Sequence, residues 1–232
     1  MTRQVEQSLE QVRAALLEMA GRVEEMIADA NRALVERDSP LAETVILADP
    51  LIDAMEKRID EDCLLLLALQ EPKATDFRCI IAIQKIVGEL ERMGDSAVNI
   101  AQGVLRLNAE PPLEPRADLP ALAEIARRMV REALDAFVRR DAVLAREVCD
   151  RDDEADELYR SLFGHLRASM KESVENVDRA LHLLLAARNL ERIADHATNV
   201  AEDVIFYLEA LDVRHSRPPS ALRALGPTAP RP

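Results

Sequence analysis

The sequence predicts an all-α protein made of two tandem three-helix bundles related by an internal repeat. Two observations lead there. The first is composition: 48% of the 232 residues are hydrophobic, yet aromatics make up only 3%, Trp is absent and Gly numbers six. A chain poor in Gly and aromatics and rich in Ala, Leu, Glu and Arg favours helix over sheet. The second is repetition. Residues 90–101 read LERMGDSAVNIA and residues 190–201 read LERIADHATNVA. Leu90, Glu91, Arg92, Asp95, Ala97, Asn99 and Ala101 return in register as Leu190, Glu191, Arg192, Asp195, Ala197, Asn199 and Ala201. An earlier stretch repeats at an offset of 103, where Asp38, Leu41, Val45, Asp49 and Asp53 match Asp141, Leu144, Val148, Asp152 and Asp156. The offset shrinks to 100 before the LER motif, a loss of three residues between the second and third helices of the later copy. A duplicated domain drifts in this way, in a loop with both flanks in register.

Each element has a local reason. The first half, residues 1–110, divides into helices near 3–36, 40–69 and 75–107. Asp38-Ser39-Pro40 supplies a cap followed by Pro at the start of the second helix. Pro72 follows that helix, and Thr75 is placed to cap the third. Residues 111–120 hold Pro111, Pro112, Pro115 and Pro120 and read as the linker between halves. The second half, 121–212, gives helices near 119–139, 142–170 and 174–211. Beyond it, residues 213–232 are Pro-rich, basic and without apolar periodicity, and are expected to be a disordered tail. Three helices with short connections bury their apolar stripes only against one another, giving an up-down-up bundle twice over, related by an approximate two-fold. Ile80, Ile83, Ile86, Val87 and Leu90 form the expected core stripe of the first half, and Leu181, Leu184, Leu185, Ala187 and Leu190 that of the second.

The chemistry lies in carboxylates. Positions i, i+4 and i+8 share one stripe of a helix, so Glu91, Asp95 and Asn99 project together, as do Glu191, Asp195 and Asn199. The second helix of each half adds another such pair, Asp49 with Asp53 and Asp152 with Asp156. Four carboxylates on two adjacent antiparallel helices can converge on a cation, and all-oxygen ligation suits Mg²⁺, Mn²⁺ or Ca²⁺, and also iron. Acids at i, i+4 also make an ordinary solvated face, and Arg92 and Arg192 offer them partners, so the spacing alone leaves both readings open.

Bulk properties exclude other classes. A formal net charge of −13 makes nucleic acid a poor partner for the surface as a whole and disfavours simple adhesion to anionic lipid. Cys63, Cys79 and Cys149, with no CxxC, read as buried thiols. The amino terminus lacks the apolar core of a signal peptide, and the runs 64–69 and 181–187 are far short of a membrane span. The expected location is the cytoplasm. His196 points about 100° away from Asp195 on the same helix, and His165 and His182 are expected in the core or at an interface.

The pattern LERxxDxxxNxAE, complete in NLERIADHATNVAEDVIFYLEA, is similar to the signature of the PhoU family of phosphate-transport accessory proteins. The resemblance covers residues 5–212 and includes the duplicated three-helix architecture and the D-x-x-x-D pairs; Asp212-Val213-Arg214-His215 resembles a short family ending. It departs at Gln102, which stands where the second copy has Glu202. The resemblance implies a negative regulator of phosphate uptake and phosphate-starvation signalling, not an enzyme. It implies coupling of the phosphate ABC transporter, through its ATPase subunit, to a sensor histidine kinase. A homodimer associated only peripherally with the membrane complex is expected. It further implies metal clusters of iron, manganese, zinc or magnesium. These would sit on Asp49, Asp53, Glu91 and Asp95 in one half and on Asp152, Asp156, Glu191 and Asp195 in the other, with Asn99 and Asn199 as weaker ligands.

Two other readings compete. One is a metal-free helical scaffold. The other is a di-metal bundle enzyme, but such enzymes place Glu-x-x-His on facing helices, and here Gly94 and Ala194 occupy the fourth position. No nucleophile–base arrangement is legible either.

Overall fold

The computed structural model describes residues 3–70, 72–113 and 118–214. Those residues form α1 (Arg3–Glu36), α2 (Ser39–Leu69), α3 (Ala74–Asn108), α4 (Asp118–Arg139), α5 (Ala142–Glu172) and α6 (Val177–Glu209), with no strand among them. The expected all-α class and helix order are therefore present, and α2 and α5 keep their 103-residue offset at both ends. The tail beyond Arg214 and linker residue Pro115 lie outside the described residues.

The repeat extends to the way helices stop and start. Arg37 and Arg140, equivalent positions, both take the left-handed conformation, with φ of 59° and 54°. The next amide then folds back, Asp38 N to Ala33 O at 3.0 Å and Asp141 N to Ala136 O at 2.9 Å, which satisfies carbonyls at the helix end. Asp38 and Asp141 next turn their carboxylates onto the following helix, accepting from Leu41 N at 3.0 Å and from Val143 N and Leu144 N at 2.9 and 3.0 Å. Two expectations need correction. Thr75 does not cap α3: the cap position is Lys73, whose side chain makes no capping bond, and Thr75 sits inside the first turn. The last helix does not begin at 174. Ser173 caps a separate 3-10 turn, Val174–Asn176, and the α-helix follows it.

α3 and α6 pack against each other more extensively than any other pair of helices; α1 and α2 flank α3, α4 and α5 flank α6, and α1 also meets α4. The two halves thus share one hydrophobic core, running from Leu16 and Ile52 through Ile83 and Leu90 to Leu122 and Leu190. Each such fully buried side chain contributes about 1.5–3 kcal/mol. The predicted α3 stripe is buried throughout, but Leu181 and Leu185 of the predicted α6 stripe are exposed. An apolar run of seven residues cannot turn every side inward at 100° per residue; Ala180 and Ala187 take the core-facing side. Polar contacts join the halves as well. Lys85 Nζ donates to the buried Asp203 Oδ1 at 2.7 Å and lies 5.3 Å from the Phe206 ring centre. Arg13 reaches Tyr207 Oη at 3.0 Å. Cys63, Cys79 and Cys149 are free and buried, as expected.

Candidate metal centres

In each half the acids of the second and third helices face one another, and the electrostatics record it. In the first half, burial and then the charges of Asp53 and Asp95 raise the Asp49 carboxyl. Burial and then Asp95, Glu56 and Asp53 raise Glu91, with Arg92 opposing. Asp95 and Asn99 are exposed, while Asp49, Asp53 and Glu91 are half-buried. The second half is drier. Glu191 is buried at 7% exposure, and burial, with the charges of Asp156 and Asp152, raises its carboxyl against the pull of Arg188. Burial, then Glu191 and Asp152, with a smaller part from Asp156, push Asp195 up to about 7 even though Arg188 pulls the other way. Like charges held close in a low-dielectric setting oppose ionisation in this way.

The structure therefore brings together Asp49, Asp53, Glu91 and Asp95 on one side and Asp152, Asp156, Glu191 and Asp195 on the other. Among the described residues, however, no three Asp, Glu, His or Cys side chains are already arranged to hold one ion. The donor set nevertheless suits a hard cation, being all carboxylate oxygen, and one buried oxygen of it, Glu191 Oε2, has no hydrogen-bond partner. An apolar cavity of about 270 Å³, walled by Leu34, Leu107, Leu113 and Leu166, contains none of these residues.

Several neighbours were not legible from the repeat. Arg188 Nη1 donates to Glu191 Oε1 and closes that side of the second cluster. Thr198 Oγ1 donates to Asp152 Oδ1 at 3.3 Å, tying α6 to α5. Glu89 on α3 meets α6: His196 Nδ1 lies 2.7 Å from Glu89 Oε2, and Asn199 Nδ2 donates to the same oxygen at 3.1 Å. Burial alone would raise Glu89, but these two hydrogen bonds and the charges of His196 and Arg92 hold it below its ordinary value. Asn199 is thus turned to Glu89 and away from the ligand row expected of it. Arg92 likewise pairs with Glu89 Oε1 at 2.9 Å. His165, expected in the core or at an interface, is exposed and 3.0 Å from Asp118 Oδ2.

Among the described residues no helix is long and apolar enough to cross a membrane. A family model described as the PhoU domain matches twice, over residues 16–104 and 119–204. The PhoU homolog of Pseudomonas putida, named a phosphate-specific transport system accessory protein, is 42% identical over 217 residues, 93% of this chain and 84% of the relative. The homolog of Aquifex aeolicus, with the same name, is 42% identical over 89% of this chain and 94% of its own. The crystal structure of PhoU from Pseudomonas aeruginosa superposes with a TM-score of 0.86 at 41% identity, covering 89% of this chain and 99% of that one. The phosphate transport system regulatory protein PhoU from Streptococcus pneumoniae gives 0.85 at 28% identity, covering 90% and 99%. With both repeats matched and the fold shared over about nine tenths of its length, the chain belongs to the PhoU family.

Proposed function

We propose that this protein is a regulatory accessory of phosphate-specific transport, acting in the cytoplasm by contact and without catalysis. The observation that carries the reading is the family match across both repeats, together with relatives named as transport accessory proteins over nearly the whole chain. In this reading it couples the ATPase subunit of the phosphate ABC transporter to the sensor histidine kinase of the starvation response, and restrains both uptake and signalling when phosphate is plentiful. A homodimer associated peripherally with the membrane complex is part of it.

The reading includes a metal cation, iron, manganese, zinc or magnesium, in each half. Asp49, Asp53, Glu91 and Asp95 would hold one, and Asp152, Asp156, Glu191 and Asp195 the other. A bound cation would neutralise carboxylates that otherwise repel. The chain's own part is to carry the acids on paired helices, α2 with α3 and α5 with α6. Support comes from the raised carboxyls of Asp49, Glu91, Glu191 and Asp195 and from the unpartnered Glu191 Oε2.

Two measurements test this reading. Elemental analysis of the full chain purified without chelator should find metal, and replacing Glu191 and Asp195 together by Ala should lower it by one centre's share while helical circular dichroism is retained. Unchanged metal in that variant would restore the solvated-face reading. Affinity purification from phosphate-replete cells should bring down the transporter ATPase; its consistent absence would remove the coupling role.

A further inference from the structure

The internal repeat lets each half serve as the control for the other, and two of the equivalent positions at which the candidate centres differ change the charge around them. Position 88 is Gly where position 188 is Arg, and position 56 is Glu where position 159 is Tyr. Both positions border the clusters. Glu56 lies close enough for its charge to raise Glu91. Arg188 donates to Glu191 Oε1, and its guanidinium sits 5.9 Å from the Tyr159 ring centre. The first cluster thus gathers five acids, Glu56 included, and Arg92, the base beside Glu91, is turned to Glu89. The second gathers four acids and holds a guanidinium against one of them. That pairing is partial: Glu191 is 7% exposed, and its Oε2 remains without a partner.

We propose that Arg188 is the resident cation of the second centre, which a metal ion must displace, so that the first centre loads before the second. This rests on the metal reading above. Guanidinium and metal compete for the same Glu191 carboxylate, and a hydrogen bond between charged groups is stronger than a neutral one. The competition has a route for release, because the Arg188 side chain keeps 50% of its surface in water. It can swing off Glu191 and remain solvated over Tyr159. No such step stands before the first centre, where Gly88 offers no side chain. Arg188 is a selectivity residue in this scheme: it sets how much metal the second half requires before it is filled, and it keeps the buried Glu191 from standing unneutralised when metal is scarce.

Titration of Mn²⁺ into the full-length chain by calorimetry tests the scheme, with the first centre silenced by Glu91→Gln and Asp95→Asn so that the second is read alone. In that background Arg188→Ala and Arg188→Gln should tighten Mn²⁺ binding by roughly ten- to hundredfold, the span of one hydrogen bond to a charged group. In the otherwise native chain Gly88→Arg should weaken the first, tighter step; a Cβ added at Gly88 meets nothing within 4 Å. A second readout is melting without metal. Arg188→Gln should melt lower than the native chain, and Mn²⁺ should restore it. Unchanged or weaker Mn²⁺ binding in both Arg188 variants, with Mn²⁺ still bound by the native chain, overturns the role of Arg188 alone. No Mn²⁺ bound by the native chain or by any variant overturns the metal reading and this inference together.

Discussion

Neutralising Asp195 should stabilise the metal-free protein above neutral pH and do nothing in acid. Burial first, and then the charges of Glu191, Asp152 and Asp156, carry this carboxyl from 3.8 to about 7. Between those values the folded state holds a proton that the unfolded chain has released. Stability therefore falls as pH rises through that window, and the loss is complete above it. At about 1.36 kcal/mol per pH unit the full difference is roughly 4 kcal/mol. Asp195 is only half-buried, and screening by the adjacent water reduces the expected cost to about 2 kcal/mol. Asp195→Asn keeps the shape and removes the charge. Urea unfolding in the presence of a chelator should show the variant about 2 kcal/mol more stable than the native chain at pH 8 and equal to it at pH 4. A variant no more stable at pH 8, or one stabilised equally at both pH values, would refute the reasoning that burying the Asp195 charge beside the other three acids opposes folding.

The repeat and the seam between halves yield further expectations. Arg140→Gly should stabilise by about 1 kcal/mol, because its φ of 54° is one that only Gly adopts without strain. Arg37→Gly should gain nothing, because Arg37 Nη2 donates to the carbonyls of Leu107 and Glu110 at 2.8 and 2.7 Å and those bonds are lost. Thermal melts of the two variants side by side decide between a backbone and a side-chain account of this position. Lys85→Ala should cost about 1–3 kcal/mol in urea unfolding by leaving Asp203 buried without its cation, and Lys85→Ala with Asp203→Asn should recover part of it. Equal losses in the single and double variants would show that the bridge between α3 and α6 adds nothing.

The helices were legible because their signals are local. Asp38 and Asp141 cap where their spacing says, and the apolar rows Ile80, Ile83, Val87 and Leu90 turn inward as 3.6-residue periodicity requires. The acid pairs on each helix were legible for the same reason, since i, i+4 spacing fixes which side chains share a stripe. What sequence could not supply was the docking of α3 on α6, because nothing local distinguishes two separate bundles from two halves with one core. Leu181 and Leu185 were misplaced on that account: their run reads as apolar on every side, and only the packed partner decides which side stays wet. The missed neighbours share a different cause. Arg188, Glu89 and Thr198 stand opposite Gly88, Asn189 and Val98, positions where the copies disagree. Matching identities between copies finds what duplication preserved and passes over what later diverged. The Arg188-x-x-Glu191 spacing was nevertheless a readable i, i+3 ion pair.

The most direct test of the central claim is a phosphatase reporter of the starvation response, read in high phosphate in a strain deleted for this gene. The account predicts derepressed reporter in the deletion strain, restored repression on complementation, and no derepression when the sensor kinase or the transporter is also removed. Full repression in the deletion strain, with no second copy of the gene present, would contradict it.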